Sequence, residues 1–468
     1  MDHPSEHALM GSTAHRVREV LAIRAFRRLW GVTALTATGD WLSLLALSAL
    51  ATQLTTGYQA QSFALGGVVA TKLLPAMLLA PLAGALADKL DRRHVMVVCD
   101  VLRACLFLSI PLVGELAWLF IATFLIEVCS LFWIPAKDAS VPNLLRRPDQ
   151  VETANQLALI MTYGAAVLAA SGLFATLSKL GPEFSAIGLV PSAELSAYFA
   201  LTLNGVAYAT CALVVGTRIP EISGRATTRS TVQPGLLTML RDGVVFVRST
   251  PLVRGLVTGI VGAFAAGGVV IACAKLYATS LGGGNAAYGM LFASLFAGLG
   301  LGMVLAPPAA RRIRHRRLFG RAIVAAGLAL VGVAVAPHLF VALGAVTLVG
   351  VGAGVAFLTG VTIIGAQVAD EMRGRTIAFV QSLVRIDLLA SMAMVPLLVG
   401  LVQQRTVTLF GEHMTIDGTR PVLFGAGLVA ATVGMVAYRQ MDDRVHSSPR
   451  VGPGAVVRRR WVPWGGSA

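Results

Sequence analysis

Stretches of apolar residues, each about long enough to form a membrane-crossing helix of roughly 20 residues, alternate along the chain with short polar connections. Such stretches begin near Leu29, Ser62, Val95, Ala117, Thr153 and Ser196, and again near Leu252, Ala286, Leu318, Leu339, Thr376 and Val422. The pattern predicts an all-α membrane protein of about 12 transmembrane helices in two six-helix halves. Its expected parts are an N-terminal segment over 1–28, a first half over 29–217, a central loop over 218–251, a second half over 252–441 and a disordered tail over 442–468. Within the central loop Leu236, Leu237, Leu240, Val244 and Val247 share one helical face, which reads either as an amphipathic helix at the membrane surface or as a solvated linker helix tucked against the bundle.

The polar connections give the spans a direction. Arginines and lysines crowd every second connection: Arg24, Arg27 and Arg28, then Lys89, Arg92 and Arg93, then Lys137, Arg146 and Arg147, the central loop, Arg311 to Arg317, Arg373 and Arg375, and the tail. The intervening connections hold Glu115, then Lys179 with Glu183 and Glu194, and later Arg405 and Arg420 with Glu412 and Asp417. Basic loops stay in the cytoplasm, so both termini are expected there. This clustering also accounts for the net charge of +15 without nucleic acid as a partner. Hydrophobic residues make up 56% of the chain and charged ones 13%, too few charges for a water-soluble surface. The first residues are polar and show no cleavable signal peptide. Cys99, Cys105, Cys129, Cys211 and Cys273 lie in apolar stretches without metal-ligand spacing and read as buried hydrophobes.

Charges inside the spans are costly and mark function or pairing. Asp40 and Lys72 fall at a similar depth in the antiparallel first and second spans, which predicts a mid-membrane ion pair; a static pair pinning the helices is the plainer alternative. Glu127, mid-way along the fourth span with no cation in its own helix, is the first candidate for carrying a coupling proton, with Asp40 second. A structural hydrogen-bonded acid would look the same. Asp100 and Arg103 stand three apart on one face of the third span and read as a structural or gating pair. Arg385 and Asp387 point in different directions and need partners elsewhere; they are read as gating or structural charges too. Phe264, Phe292, Phe296 and Phe357 read as packing residues.

The second span ends in Gly84-Ala85-Leu86-Ala87-Asp88-Lys89-Leu90-Asp91-Arg92-Arg93. This resembles the signature loop of the major facilitator superfamily, with Asp91 where a turn glycine is usual. A carboxylate at a helix end and arginines one turn on can hold two helices in one conformation and release them in another, so Gly84, Asp88, Arg92 and Arg93 are read as a conformational latch. Phe26-Arg27-Arg28-Leu29-Trp30, Gly39-Asp40-Trp41, Asp100-x-x-Arg103 and Val141-Pro142-Asn143 resemble the bacterial drug and siderophore exporter branch. The chain is also similar to the membrane portion of actinobacterial chains fused to a thymidylate-kinase-like domain; none of its five lysines follows a glycine, so it has no phosphate-binding Gly-Lys loop. The Gly-Pro pair usual in the fifth span of antiporters is missing around Tyr163-Gly164-Ala165. Gly302 before Arg311 and Arg312 looks like a faint echo of the signature loop in the second half.

The resemblance implies a secondary transporter in a bacterial plasma membrane, working by alternating access and exporting a small amphipathic molecule against proton entry. The partners implied are a small-molecule substrate, protons and the lipid bilayer, in a monomer without cofactor, metal or enzymatic activity. The alternatives are a transporter of lipid or nutrient, or a scaffold or sensor that transports nothing.

Overall fold

A computed structural model describes residues 15–87, 90–145, 147–185, 192–223, 251–367, 405–409 and 412–442, with scattered positions from 380 to 402. The first half comprises α1 (Arg24–Gln53), α2 (Tyr58–Ala87), α3 (Arg92–Val113), α4 (Leu116–Leu144), α5 (Pro148–Ile160), α6 (Ala166–Ser185) and α7 (Ser192–Arg218). The second comprises α8 (Pro251–Ser280), α9 (Gly284–Arg312), α10 (His315–Val335), α11 (Leu339–Gln367) and α12 (Thr419–Asp442). Among the described residues, 10 helices are long and apolar enough to cross a membrane, one of them the α5–α6 pair taken together. The 30-residue α2, with Lys72 inside it, is a further long helix. The span expected from Thr376 lies largely outside the described residues, as do most of the central loop with its amphipathic stretch and the tail.

Successive helices run up and down between two ends. The near end is where α1 begins and α12 finishes; the far end holds the α1–α2 and α8–α9 turns. Local chemistry sets these boundaries. Asp91 has φ −68° and ψ 122°, and its Oδ1 accepts the His94 backbone N–H at 3.0 Å, so it is the N-cap of α3 and not a left-handed turn residue. Gly114, with φ 67°, closes α3 through its N–H to the Ile110 carbonyl, a conformation that costs glycine least. The fifth span is interrupted by a π-helical turn at Met161–Ala165 where the sequence lacks the Gly-Pro pair. In the far-end connection after residue 402, Arg405–Leu409 (β1) pairs with Glu412–Ile416 (β2) as an antiparallel hairpin, Arg405 opposite Ile416. Apart from this hairpin, the regular elements among the described residues are all helical.

Small residues bring helices close in lipid, where the hydrophobic effect cannot drive association. On α9 and α11 the seam is reciprocal: a Cβ on Gly298 or Gly302 would overlap the carbonyls of Thr347 or Val351, and one on Gly350 or Gly354 those of Leu295 or Leu299. The apparent echo at Gly302 is therefore a packing glycine. The largest buried apolar cluster joins α1 and α7 of the first half to α8 and α9 of the second, while separate clusters fill the near end of each half. Cys99, Cys129, Cys211 and Cys273 are buried as expected, but Cys105 lies on the outer surface.

Candidate functional site

Gly39-Asp40-Trp41 sits half-way along α1, and each residue has a separate task. Gly39 lets α7 approach so closely that a Cβ there would overlap Asn204 Oδ1, while Asn204 donates to the Gly39 carbonyl at 3.0 Å. Asp40 Oδ1 accepts the Tyr208 hydroxyl at 2.5 Å. Trp41 Nε1 donates to the Thr162 carbonyl at 2.8 Å, within the π-helical turn. Its ring meets Phe296 of α9 edge-on at 5.0 Å, across the two halves.

Beneath Tyr208 lies a buried charge cluster. Arg103 of α3, 1% exposed, donates to Asp100 Oδ1 at 2.6 Å, and Asp100 Oδ2 accepts the Trp133 indole N–H at 3.2 Å. The Arg103 guanidinium stacks between Tyr208, 4.4 Å from its ring centre, and Trp133 at 5.0 Å. The acid and the two rings thus surround the cation, leaving its buried Nε without a hydrogen-bond partner among the described residues, and Tyr208 links the cluster to Asp40.

The expected Asp40–Lys72 pair does not form. Lys72 Nζ bonds Glu127 Oε1 at 2.5 Å and reaches Ser43 Oγ at 3.4 Å. Depth alone suggested Asp40; the angular positions of α2 and α4 turn Lys72 towards Glu127 instead, so the acid that looked cation-free in its own helix takes its cation from a neighbouring one. Both residues are about a fifth exposed or less. Asp40 stays exposed and forms no ion pair among the described residues. Asp40 and the Lys72–Glu127 pair thus stand apart as two separate polar features at mid-helix, with Ser43 buried beside Lys72.

Of the signature loop, Arg93 donates to the Val215 and Gly216 carbonyls at the near end of α7, at 3.2 Å to Val215, and Arg92 is buried. Asp88 and Arg385 lie outside the described residues. Gly84 belongs to the last turns of α2. One buried oxygen of Asp387 has no hydrogen-bond partner among the described residues. The packing reading suits Phe292 and Phe296, both buried and ring-stacked, but not Phe357, which is 46% exposed.

The sequence reading missed Tyr208 and Trp133, whose roles appear only once α3, α4 and α7 are set side by side. It also passed over Lys275 of α8, although a lysine inside an apolar span is a visible signal. Lys275 is buried, bonds Asn285 Oδ1 and lies 5.9 Å from the Tyr288 ring centre; Asn285 Nδ2 reaches Ser196 Oγ of the first half at 3.2 Å. Together with Phe174–Tyr288 ring contact and the Gln59 Nε2 bond to the Gly400 carbonyl at 2.9 Å, this seals the halves together at the far end.

The family model described as Transmembrane secretion effector matches residues 19–443. The chain belongs to this family. Its fold is of the major facilitator type, and the relatives and solved structures it resembles are transporters. It is 24% identical to the uncharacterized MFS-type transporter YfiS of Bacillus subtilis (strain 168) over 53% of this chain and 52% of that one. It is 33% identical to the putative bacilysin exporter BacE of Bacillus amyloliquefaciens over 30% of this chain and 35% of that one. The matches thus span about half the length of the first relative and about a third of the second. A bacterial homolog of the human lysosomal transporter Spinster, inward-facing and unoccupied, superposes with TM-score 0.66 at 15% identity over 90% of this chain and 98% of that one. The nucleoside transporter NupG gives 0.65 at 14% identity, over 89% and 98%.

Proposed function

We propose that this transporter exports a small amphipathic molecule by alternating access, driven by proton entry. The observation that carries the reading is Asp40: an exposed carboxylate at mid-helix, held by one phenol and, among the described residues, by no ion pair. Protonating Glu127 would strand the Lys72 ammonium without its counter-ion, a cost Asp40 does not incur. Asp40 therefore takes the role of coupling acid, and Tyr208 relays its change of charge to the Arg103–Asp100 cluster. Lys72 and Glu127 form a polar clasp between α2 and α4. Apolar walls around Trp41 and Phe296 beside these charges suit a ligand with both characters.

The seal at the far end supports a state open towards the near end, which the arginine distribution assigns to the cytoplasm. A cycle that loads from that side is an export cycle, and the similarity to a putative exporter supports that direction. The latch role falls to Asp88 with Arg92, while Arg93 anchors the turn to α7.

The test uses proteoliposomes with an imposed pH gradient and ethidium as probe. Asp40→Asn is expected to abolish gradient-driven transport while downhill exchange persists. Glu127→Gln should slow both modes together. Gradient-driven transport by Asp40→Asn at the wild-type rate would overturn the assignment. Failure of the wild type to move any of a panel of amphipathic dyes would overturn the export reading itself.

A further inference from the structure

At the far end the first turn of α2 docks into an elbow of the second half formed by residues 399–400 and 417–420. Gln59 bonds the Gly400 carbonyl, and Gly418 sits so tightly on the Val399 carbonyl that no side chain would fit. Asp417 lies in this elbow, 1% exposed, just before α12. Its Oδ1 accepts the Thr419 hydroxyl at 2.6 Å, while the buried Oδ2 has no hydrogen-bond partner among the described residues. The Tyr58 side chain of α2 faces it from the other half, its hydroxyl buried beside Asp417 and the Gly418 backbone.

We propose that Asp417 is a second proton-binding site, facing the extracytoplasmic side, whose neutral acid closes the far-end gate against Tyr58 and whose carboxylate opens it. The site rests on the orientation and proton coupling proposed above.

The chemistry follows from what closure does to the carboxyl. With the halves apart, water solvates the carboxylate and can deliver a proton. With them together, the group is sealed against Tyr58 from α2, Cys273 and Tyr277 from α8, and Thr419 and Arg420 from its own segment. Burial pushes the Asp417 carboxyl above its usual range, although the Thr419 hydroxyl, Arg420 and Tyr58 pull the other way. Arg420 cannot turn wholly to the acid, because its Nη1 donates to the Ala334 and Ala336 carbonyls at 3.1 and 2.8 Å. The Tyr58 hydroxyl can donate to either form, so burial separates them: closure strips water from a carboxylate at far greater cost than from a neutral acid, and Asp417 is 1% exposed. With the closed-state value raised, closure is favoured fully below the ordinary carboxyl range and weakens as pH rises through the raised value. Protons outside thus favour the state closed to the outside, as proton entry requires.

The experiment places spin labels on Thr56→Cys and Thr279→Cys, two exposed far-end positions in opposite halves, with the five native cysteines replaced. The distance distribution is then read in nanodiscs between about pH 5 and about pH 9. The long-distance population of the otherwise native protein should grow at least about threefold with rising pH. Asp417→Asn should hold the short distance throughout, and Asp417→Glu should restore the pH response with a displaced midpoint. A pH response in Asp417→Asn equal to that of the parent overturns the site, as does a parent whose distances ignore pH. Monodispersity and thermal unfolding of each variant confirm that folded protein is compared. A parent that responds through Asp417 while its transport ignores a pH gradient would uphold this site and remove only the coupling reading.

Discussion

An ammonium group inside a bilayer must find an acceptor, and Lys72 has acids on two neighbouring helices to choose between. The antiparallel arrangement of α1 and α2 put Asp40 at a suitable depth, which sequence order can show. Which way the lysine turns depends on the rotation of α2 about its axis and on the distance to α4, and neither is written in residue spacing. Asp100 and Arg103 pose no such problem, since residues three apart on one helix are neighbours by geometry alone. Their other partners, Trp133 and Tyr208, come from elsewhere in the chain and stayed hidden. The Lys72–Glu127 pair is directly testable. Lys72→Met and Glu127→Gln, each alone, leave one charge stranded, whereas the double variant leaves none. Because the pair is about a fifth exposed, each single change is expected to cost about 1–3 kcal/mol, less than a fully buried pair, with the double variant closer to wild type. Thermal unfolding in detergent over the complete double-mutant cycle reads the coupling; additive losses would show that the two groups do not depend on each other.

At the scale of elements, the hydrophobic pattern placed the starts of the described helices within a few residues, because a bilayer demands a long apolar run and polar loops end it. The pattern could not show the π-helical turn in the fifth span, whose sequence differs little from the helix around it. Nor could it distinguish a glycine that belongs to a loop motif from one that lets two backbones meet. Gly302 shows the difference. Its spacing from Arg311 and Arg312 suggested a degenerate signature loop, yet its Cα faces the Val351 carbonyl in the reciprocal α9–α11 seam. A side chain there must push rigid backbone rather than a flexible group. Gly302→Leu is therefore expected to lower stability by about 1–3 kcal/mol or more and to separate α9 from α11. Gly300→Leu, two residues away with open space around its Cα, should cost little. A thermal unfolding comparison of the two variants checks the contrast, and equal losses would mean that the seam does not hold the helices together.

At the scale of the whole molecule, the two ends of the bundle differ in charge as well as in closure. The near end gathers Arg24, Arg27 and Arg28 before or within the first turns of α1, Arg92 and Arg93 at the start of α3, Arg311 and Arg312 at the end of α9, and Arg439 near the end of α12. Several of these are also structural: Arg28 Nη1 donates to the Arg218 carbonyl at 2.6 Å, so the basic residues cap helix ends as well as orient them. The far end carries Arg420, which is buried against the carbonyls that end α10 and is thus removed from any surface. Translocation counts mobile basic charge in short loops, so the near end should remain in the cytoplasm. A reporter active only in the cytoplasm should work when fused at Ser447, and one active only outside should work when inserted in 181–194. The opposite result would invert the bundle. The far-end seal would then face the cytoplasm, Asp417 would meet internal rather than external protons, and the cycle would load from outside. The orientation measurement therefore fixes which compartment the described state opens to, before any substrate is known.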